Sequence, residues 1–160
     1  MGLLWCLSAV MLQAARVDTV LVRSAAMNKD VKVVYVLPDK AIGKQACPVV
    51  YLLHGYGGNA RSWVQLKPEL PQMADEKGII FVCPDGKNSW YWDSPENPAY
   101  RYETFVTSEL VKYTDGNYAT IPDRKARAIS GLSMGGHGAL WSAIRHKDVF
   151  GAAGSMSGGV

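Results

Sequence analysis

Little in this sequence points to a membrane, a nucleic acid or a metal. No apolar stretch reaches the about 18 residues that a bilayer-crossing helix needs. Of 17 Lys and Arg against 14 Asp and Glu, none form a run, so the net charge of +3 marks no basic stripe for nucleic acid. Cysteine is limited to Cys6, Cys47 and Cys83, too far apart for a metal-ligand pattern. Histidine is limited to His54, His137 and His146, which matters for catalysis below. Repeats, low-complexity tracts and linker-like boundaries are also lacking. What is there is an ordinary globular composition: 160 residues, 48% hydrophobic and 19% charged, the size of one domain.

The run Leu3 to Leu12, followed by Ala14 and Ala15, has the shape of a secretory signal core and cleavage region. Residues 1–15 are read as a signal peptide and the protein as secreted or periplasmic. Two features oppose this: no Lys or Arg precedes the run, and Gln13 fits the cleavage pattern badly. A buried helix or strand is the alternative. Trp5 before Cys6 is too bulky for a lipoprotein cysteine.

Beyond residue 16, β-rich and helical segments alternate. Val17 to Val22 and Val31 to Leu37 alternate apolar and polar residues, as two strands of a hairpin do. Pro48 to Leu53 and Ile79 to Cys83 are continuous apolar runs, the pattern of strands buried on both faces. Between them lie a Gly-rich turn, His54 to Gly58, and a helix over about 61–77 that Pro68 and Pro71 interrupt. An aromatic loop, Lys87 to Tyr100, precedes a helical spacing over 102–113. Ala126 to Ser130 predicts a fifth strand, Gly135 to His146 a helix, and Phe150 to Met156 a sixth strand. Buried strands separated by helices predict an α/β fold, with a mainly parallel sheet covered on both faces. Cys47 would start one strand and Cys83 end its neighbour, about 16 Å apart at the usual rise per residue. That is beyond disulfide reach, so both are read as thiols.

The strongest motif is Gly131-Leu132-Ser133-Met134-Gly135, followed by Gly136. A strand precedes it and a helix follows it, the context in which G-x-S-x-G throws a serine out above a sheet. Side chains at 131 and 135 would collide in so sharp a reversal, hence glycine. The alternative is an ordinary serine cap at a helix start. An acyl-transfer serine needs donors for the developing oxyanion. The N–H of Met134 is one; the other is assigned to Tyr56 in the His54-Gly55-Tyr56-Gly57-Gly58 turn, with Gly57 one residue away. Gly55-x-Gly57-x-x-Ala60 also fits a dinucleotide fingerprint, with Asp85 as a ribose ligand. That reading leaves the Ser133 turn unexplained and needs a regular helix where Pro68 and Pro71 stand.

The segments Val49 to Asn59, Phe81 to Gly86 and Arg127 to Leu140 resemble the esterase D-like branch of the α/β-hydrolases. That branch includes S-formylglutathione hydrolases, feruloyl and acetyl esterases and the antigen 85 mycolyltransferases. The likeness covers about residues 17–160. It implies an α/β-hydrolase fold, Ser133 as nucleophile, and the amides of Tyr56 and Met134 as oxyanion hole.

The pattern breaks after Ser133. In this fold an acid and then a histidine follow the nucleophile, yet only His137, His146 and Asp148 do so here. A continuous helix places His146 about 20 Å from Ser133, with Asp148 at the same end. His137 is one turn away but has no acid beside it. His54 precedes the nucleophile and suits a structural role, holding its turn by hydrogen bonds. The expectation is a chain truncated after the sixth strand, short by roughly a hundred residues on the scale of such sheets. Alone, it is expected to be nearly inactive.

Taken together, the motifs predict a serine carboxylesterase without metal or organic cofactor. It forms an acyl-enzyme on Ser133 and acts on a small-molecule or carbohydrate-linked acetyl or feruloyl ester. Trp90, Tyr91, Trp92 and Tyr100 could line its pocket or pack their loop, and Trp92 is the residue singled out for substrate. Trp141 is expected in the core. An acyltransferase, an S-formylglutathione hydrolase and a non-catalytic binding module are the alternatives.

Overall fold

The computed structural model describes residues 15–159. The apolar run at residues 3–12 and Cys6 lie outside the described residues. Six strands form one sheet in the order β1-β2-β4-β3-β5-β6. β1 (Arg16–Ser24) and β2 (Lys29–Leu37) are an antiparallel hairpin, and β2 also runs antiparallel to β4 (Ile80–Pro84). β4, β3 (Val49–Leu53), β5 (Arg127–Leu132) and β6 (Ala152–Met156) are mutually parallel. The expected mixed edge on a parallel sheet is therefore present.

Strand alternation sends side chains to two cores. On one face, Val33, Tyr35, Tyr51, Leu53, Val82 and Ile129 meet Phe105, Leu110 and Met134. On the other, Val34, Val36, Leu52 and Phe81 meet Leu70 and Ala74. A short helix, α1 (Asp39–Ile42), links β2 to β3. The expected broken helix is two: α2 (Ser62–Leu66) and α3 (Leu70–Lys77), divided around Pro68. Pro71 sits in the first turn of α3, where its missing N–H is harmless. Gly78 ends it at φ 63°, the left-handed cap that glycine adopts freely.

Opposite, α4 (Tyr102–Thr104), a π-helical turn over Phe105–Glu109 and α5 (Leu110–Asn117) form one helical rod. A 3-10 turn, Arg124–Ala126, leads into β5, and α6 (Met134–Arg145) follows β5 directly. Arg127 at the start of β5 is buried, and its guanidinium donates to Asp115 Oδ2 at 2.7 Å and to the Val149 carbonyl at 2.9 Å. Cys47 and Cys83 are buried free thiols, and burial pushes Cys83 up to about 12.

Candidate active site

Parallel strands present their carboxyl ends along one edge of the sheet, and the turns after β3, β4 and β5 meet there. Ser133 stands between β5 and α6 at φ 54°, ψ −118°, a backbone state costing about 1–3 kcal/mol for a non-glycine residue. The surroundings leave it little choice. A Cβ at Gly131 would fall 2.2 Å from the Gly135 carbonyl oxygen, and one at Gly135 would fall 2.2 Å from that of Leu53. The Ser133 N–H donates to the Met156 carbonyl at 2.8 Å. Its side chain is exposed. Met134, buried beneath it, is the first residue of α6, so its N–H has no acceptor within the helix.

The turn after β3 lies against this bend. A Cβ at Gly55 would be 3.3 Å from the Leu132 carbonyl oxygen and 3.5 Å from Ser133 Cβ. The amides of the turn divide cleanly. Gly57 N–H donates to Asn88 Oδ1 at 2.7 Å, Gly58 N–H to the Gly55 carbonyl at 3.0 Å, and Asn59 N–H to Ser62 Oγ at 2.9 Å. Tyr56 N–H has no acceptor among the described residues. Of the two neighbouring donors left open by the sequence, Gly57 is engaged and Tyr56 is free.

His54 is 2% exposed and does what its position suggested. Gly86 N–H donates to its Nε2 at 2.9 Å, which leaves the proton on Nδ1 to be donated to the Gly55 carbonyl at 2.7 Å. Asp85 Oδ1 lies 3.6 Å from Nε2, outside hydrogen-bond distance. Burial pushes the Asp85 carboxyl up, but the Lys87 ammonium and N–H outweigh it and hold it well below the usual range.

The aromatic loop splits in two. Tyr91 is fully buried, with its phenol donating to the His54 carbonyl at 3.2 Å, so it packs the loop and lines no pocket. Trp90 and Trp92 are 39% and 47% exposed. Trp92 Nε1 donates to His137 Nε2 at 3.0 Å, and Trp92 borders two cavities of about 360 and 340 Å³. Asn88, Asp93, Asn97 and Tyr100 line the first, and Glu103, Trp141 and Arg145 the second.

Neither later histidine faces Ser133 as a free base. His137 Nδ1 bonds the Gly159 carbonyl at 2.8 Å while Nε2 accepts from Trp92, and its ring lies among Trp90, Trp92 and Trp141. His146 Nε2 bonds Glu103 Oε1 at 2.8 Å, beyond the far end of α6, and Asp148 follows it. Trp141 is half-buried and not a core residue: its ring stacks on His137 and lines the second cavity, while its indole N–H donates to the buried Glu103 Oε2 at 2.8 Å. Among the described residues, no group of three His, Cys, Asp or Glu is placed to hold a metal, and no helix is long and apolar enough to cross a membrane. Sequence reasoning passed over Asn88, and its only signal was a place just past the Pro84-Asp85-Gly86 turn, at the sheet edge where ligands bind.

A family model described as Esterase matches residues 24–160. The chain belongs to the Esterase family. An acetyl esterase of Caldicellulosiruptor saccharolyticus is 28% identical over 135 residues, 79% of this chain and 50% of that protein. A diacylglycerol acyltransferase/mycolyltransferase Ag85A of Mycobacterium gordonae is 34% identical over 151 residues, 88% of this chain and 42% of that protein. A solved ferulic acid esterase superposes with a TM-score of 0.78 at 31% identity, over 90% of this chain and 60% of its own. The esterase fold expected from the resemblance is thus present: a mixed six-stranded α/β-hydrolase sheet. The chain spans about half the length of the curated relatives it matches.

Proposed function

We propose that this protein is a serine esterase acting through an acyl-enzyme on Ser133. One observation carries the reading: an exposed serine on a strained bend, beside a second turn that approaches it too closely to leave room for more than glycine at 55, with one free amide at Tyr56 and one at Met134. The hydroxyl attacks an ester carbonyl, and the oxyanion takes both N–H groups. The alcohol then leaves, and water attacks the acyl-serine to release the acid. The positive end of α6 adds to the stabilisation of that negative charge.

Among the described residues neither later histidine serves Ser133 as general base: both ring nitrogens of His137 are engaged, and His146 is remote. A carbohydrate-linked acetyl or feruloyl ester is the proposed substrate. It is supported by the acetyl esterase and ferulic acid esterase relatives and by the exposed ring of Trp92 beside two cavities. Acyl transfer to a sugar hydroxyl replaces water by another alcohol in the second step; the mycolyltransferase relative supports it. Export is proposed on the apolar run Leu3 to Leu12.

Fluorophosphonate labelling of the full-length protein tests the reading. Wild type is expected to be labelled and Ser133→Ala not. An unlabelled wild type would leave a binding module of the same fold.

A further inference from the structure

We propose that Asn88 is a positioning residue that fixes the aim of the Tyr56 N–H. The proposal rests on the acyl-transfer reading above. A backbone amide is aimed by the two peptide planes that flank its residue. The 55–56 plane carries the Tyr56 N–H and the Gly55 carbonyl, and that carbonyl is held by His54 Nδ1 at 2.7 Å and Gly58 N–H at 3.0 Å. The 56–57 plane carries the Gly57 N–H, held by Asn88 Oδ1 at 2.7 Å. Tyr56 is therefore clamped on both sides, and Asn88 supplies the second clamp.

Packing does not do this work. Gly57 stands at φ 77° with nothing within 4 Å of where a Cβ would be, and the Tyr56 side chain is 66% exposed. At the tip of the turn, Tyr56 and Gly57, the hydrogen bonds to the flanking peptide planes are the visible restraint. The Asn88 bond also occupies the one neighbouring amide that would otherwise compete with Tyr56 for an oxyanion. The donor being a backbone N–H, the side-chain partner must be the oxygen, and the Asn88 NH₂ is left facing away.

Asn88 is itself well anchored. Lys87 before it sits at φ 50° with its N–H on Asp85 Oδ1 at 2.9 Å, and Ser89 N–H bonds the Gly86 carbonyl at 3.3 Å. Three residues after Asn88, Tyr91 is buried against the same turn. The loop after β4 thus grips the turn after β3 at Gly86–His54, Tyr91–His54 and Asn88–Gly57. Only the last bond comes from an exposed side chain that can be altered without opening the core.

The test compares wild type, Asn88→Ala and Asn88→Asp in the full-length protein, on p-nitrophenyl acetate. Rates are counted per serine titrated to completion with a fluorophosphonate, so that any unfolded fraction drops out. Removing an oxyanion donor outright costs about 10²–10³ in kcat, so a donor left loose in Asn88→Ala should cost about tenfold, with KM changed less than about twofold. Asn88→Asp keeps an acceptor oxygen for the Gly57 N–H, but its negative charge opposes the oxyanion, so it should recover only part of the loss. Asn88→Ala turning over like wild type, or losing through a raised KM with kcat unchanged, would overturn the proposal and leave Ser133 as nucleophile. A wild type that takes no label would overturn both.

Discussion

Tyr91 lies so close to Gly138 that a Cβ on that glycine would fall 2.5 Å from Cδ2 of its ring. The same ring would meet a Cβ at Gly86 at 2.2 Å, and its hydroxyl donates to the His54 carbonyl at 3.2 Å. One buried side chain thus touches the turns after β3 and β4 and the helix after β5, the three pieces that frame Ser133. Burial pushes its phenol well above the ordinary value, so it remains a donor. Tyr91→Phe should lose about 1 kcal/mol, the usual contribution of one hydrogen bond. Gly138→Ala should lose about 1–3 kcal/mol by overpacking. Thermal denaturation checks both, and Gly138→Ala should give the larger fall in Tm.

Two further glycines give a sharper contrast. At Gly135 the obstacle to a Cβ is backbone, the Leu53 carbonyl at 2.2 Å, and no rotamer change relieves it. Gly135→Ala should therefore cost more than the about 1–3 kcal/mol of ordinary overpacking, seen as loss of soluble protein or of cooperative melting. Gly116, in the last turns of α5, has nothing within 4 Å of its Cβ position. Gly116→Ala should stabilise by about 0.4–1 kcal/mol, because alanine restricts the unfolded chain and suits a helix. A Gly116→Ala protein that melts lower than wild type would contradict the α5 assignment.

The Arg127–Asp115 pair offers a third measurement. Arg127 is 7% exposed, and both partners lie between β5 and the helical rod. Arg127→Met leaves the partly exposed Asp115 carboxylate with only the Thr120 hydroxyl, at 2.8 Å, and should cost about 3 kcal/mol, the low end for a broken buried pair. Changing Asp115→Leu as well removes the stranded charge and should return part of that stability. Urea unfolding of the single and double variants closes the cycle.

The parts legible in the sequence were those with a local signature. Continuous apolar runs marked β3 and β4, alternation marked the hairpin, Pro68 and Pro71 marked the break between α2 and α3, and the glycines around Ser133 marked its bend. Contacts between distant segments left no such trace. Asn88 reaches Gly57 across 31 positions, and Glu103 reaches Trp141 across 38. No periodicity distinguishes either residue from a solvated one. The aromatic loop shows the same limit: Tyr91 and Trp92 are adjacent and chemically alike, yet one is fully buried and the other half exposed. Which ring turns inward is decided by the space that Gly86 and Gly138 leave open, and those glycines come from two other elements.

Glu103 sets the pH dependence of the far end of α6. Its carboxylate is buried at the start of the helical rod and accepts from Trp141 Nε1, Arg145 Nε and His146 Nε2, each at 2.8 Å. Burial pushes the carboxyl up, but the hydrogen bonds from Arg145, Trp141 and His146, with the Arg145 charge, outweigh it and leave it below its ordinary value of 4.5. A carboxyl whose pKa is lower folded than unfolded stabilises the fold fully above the unfolded value. That contribution is lost as pH falls through the folded one. The Tm difference between wild type and Glu103→Gln should therefore be constant around neutral pH and shrink below about pH 4.5. A difference that persists unchanged to pH 3 would mean that packing of Trp141, and not the carboxylate charge, holds α6 to the rod.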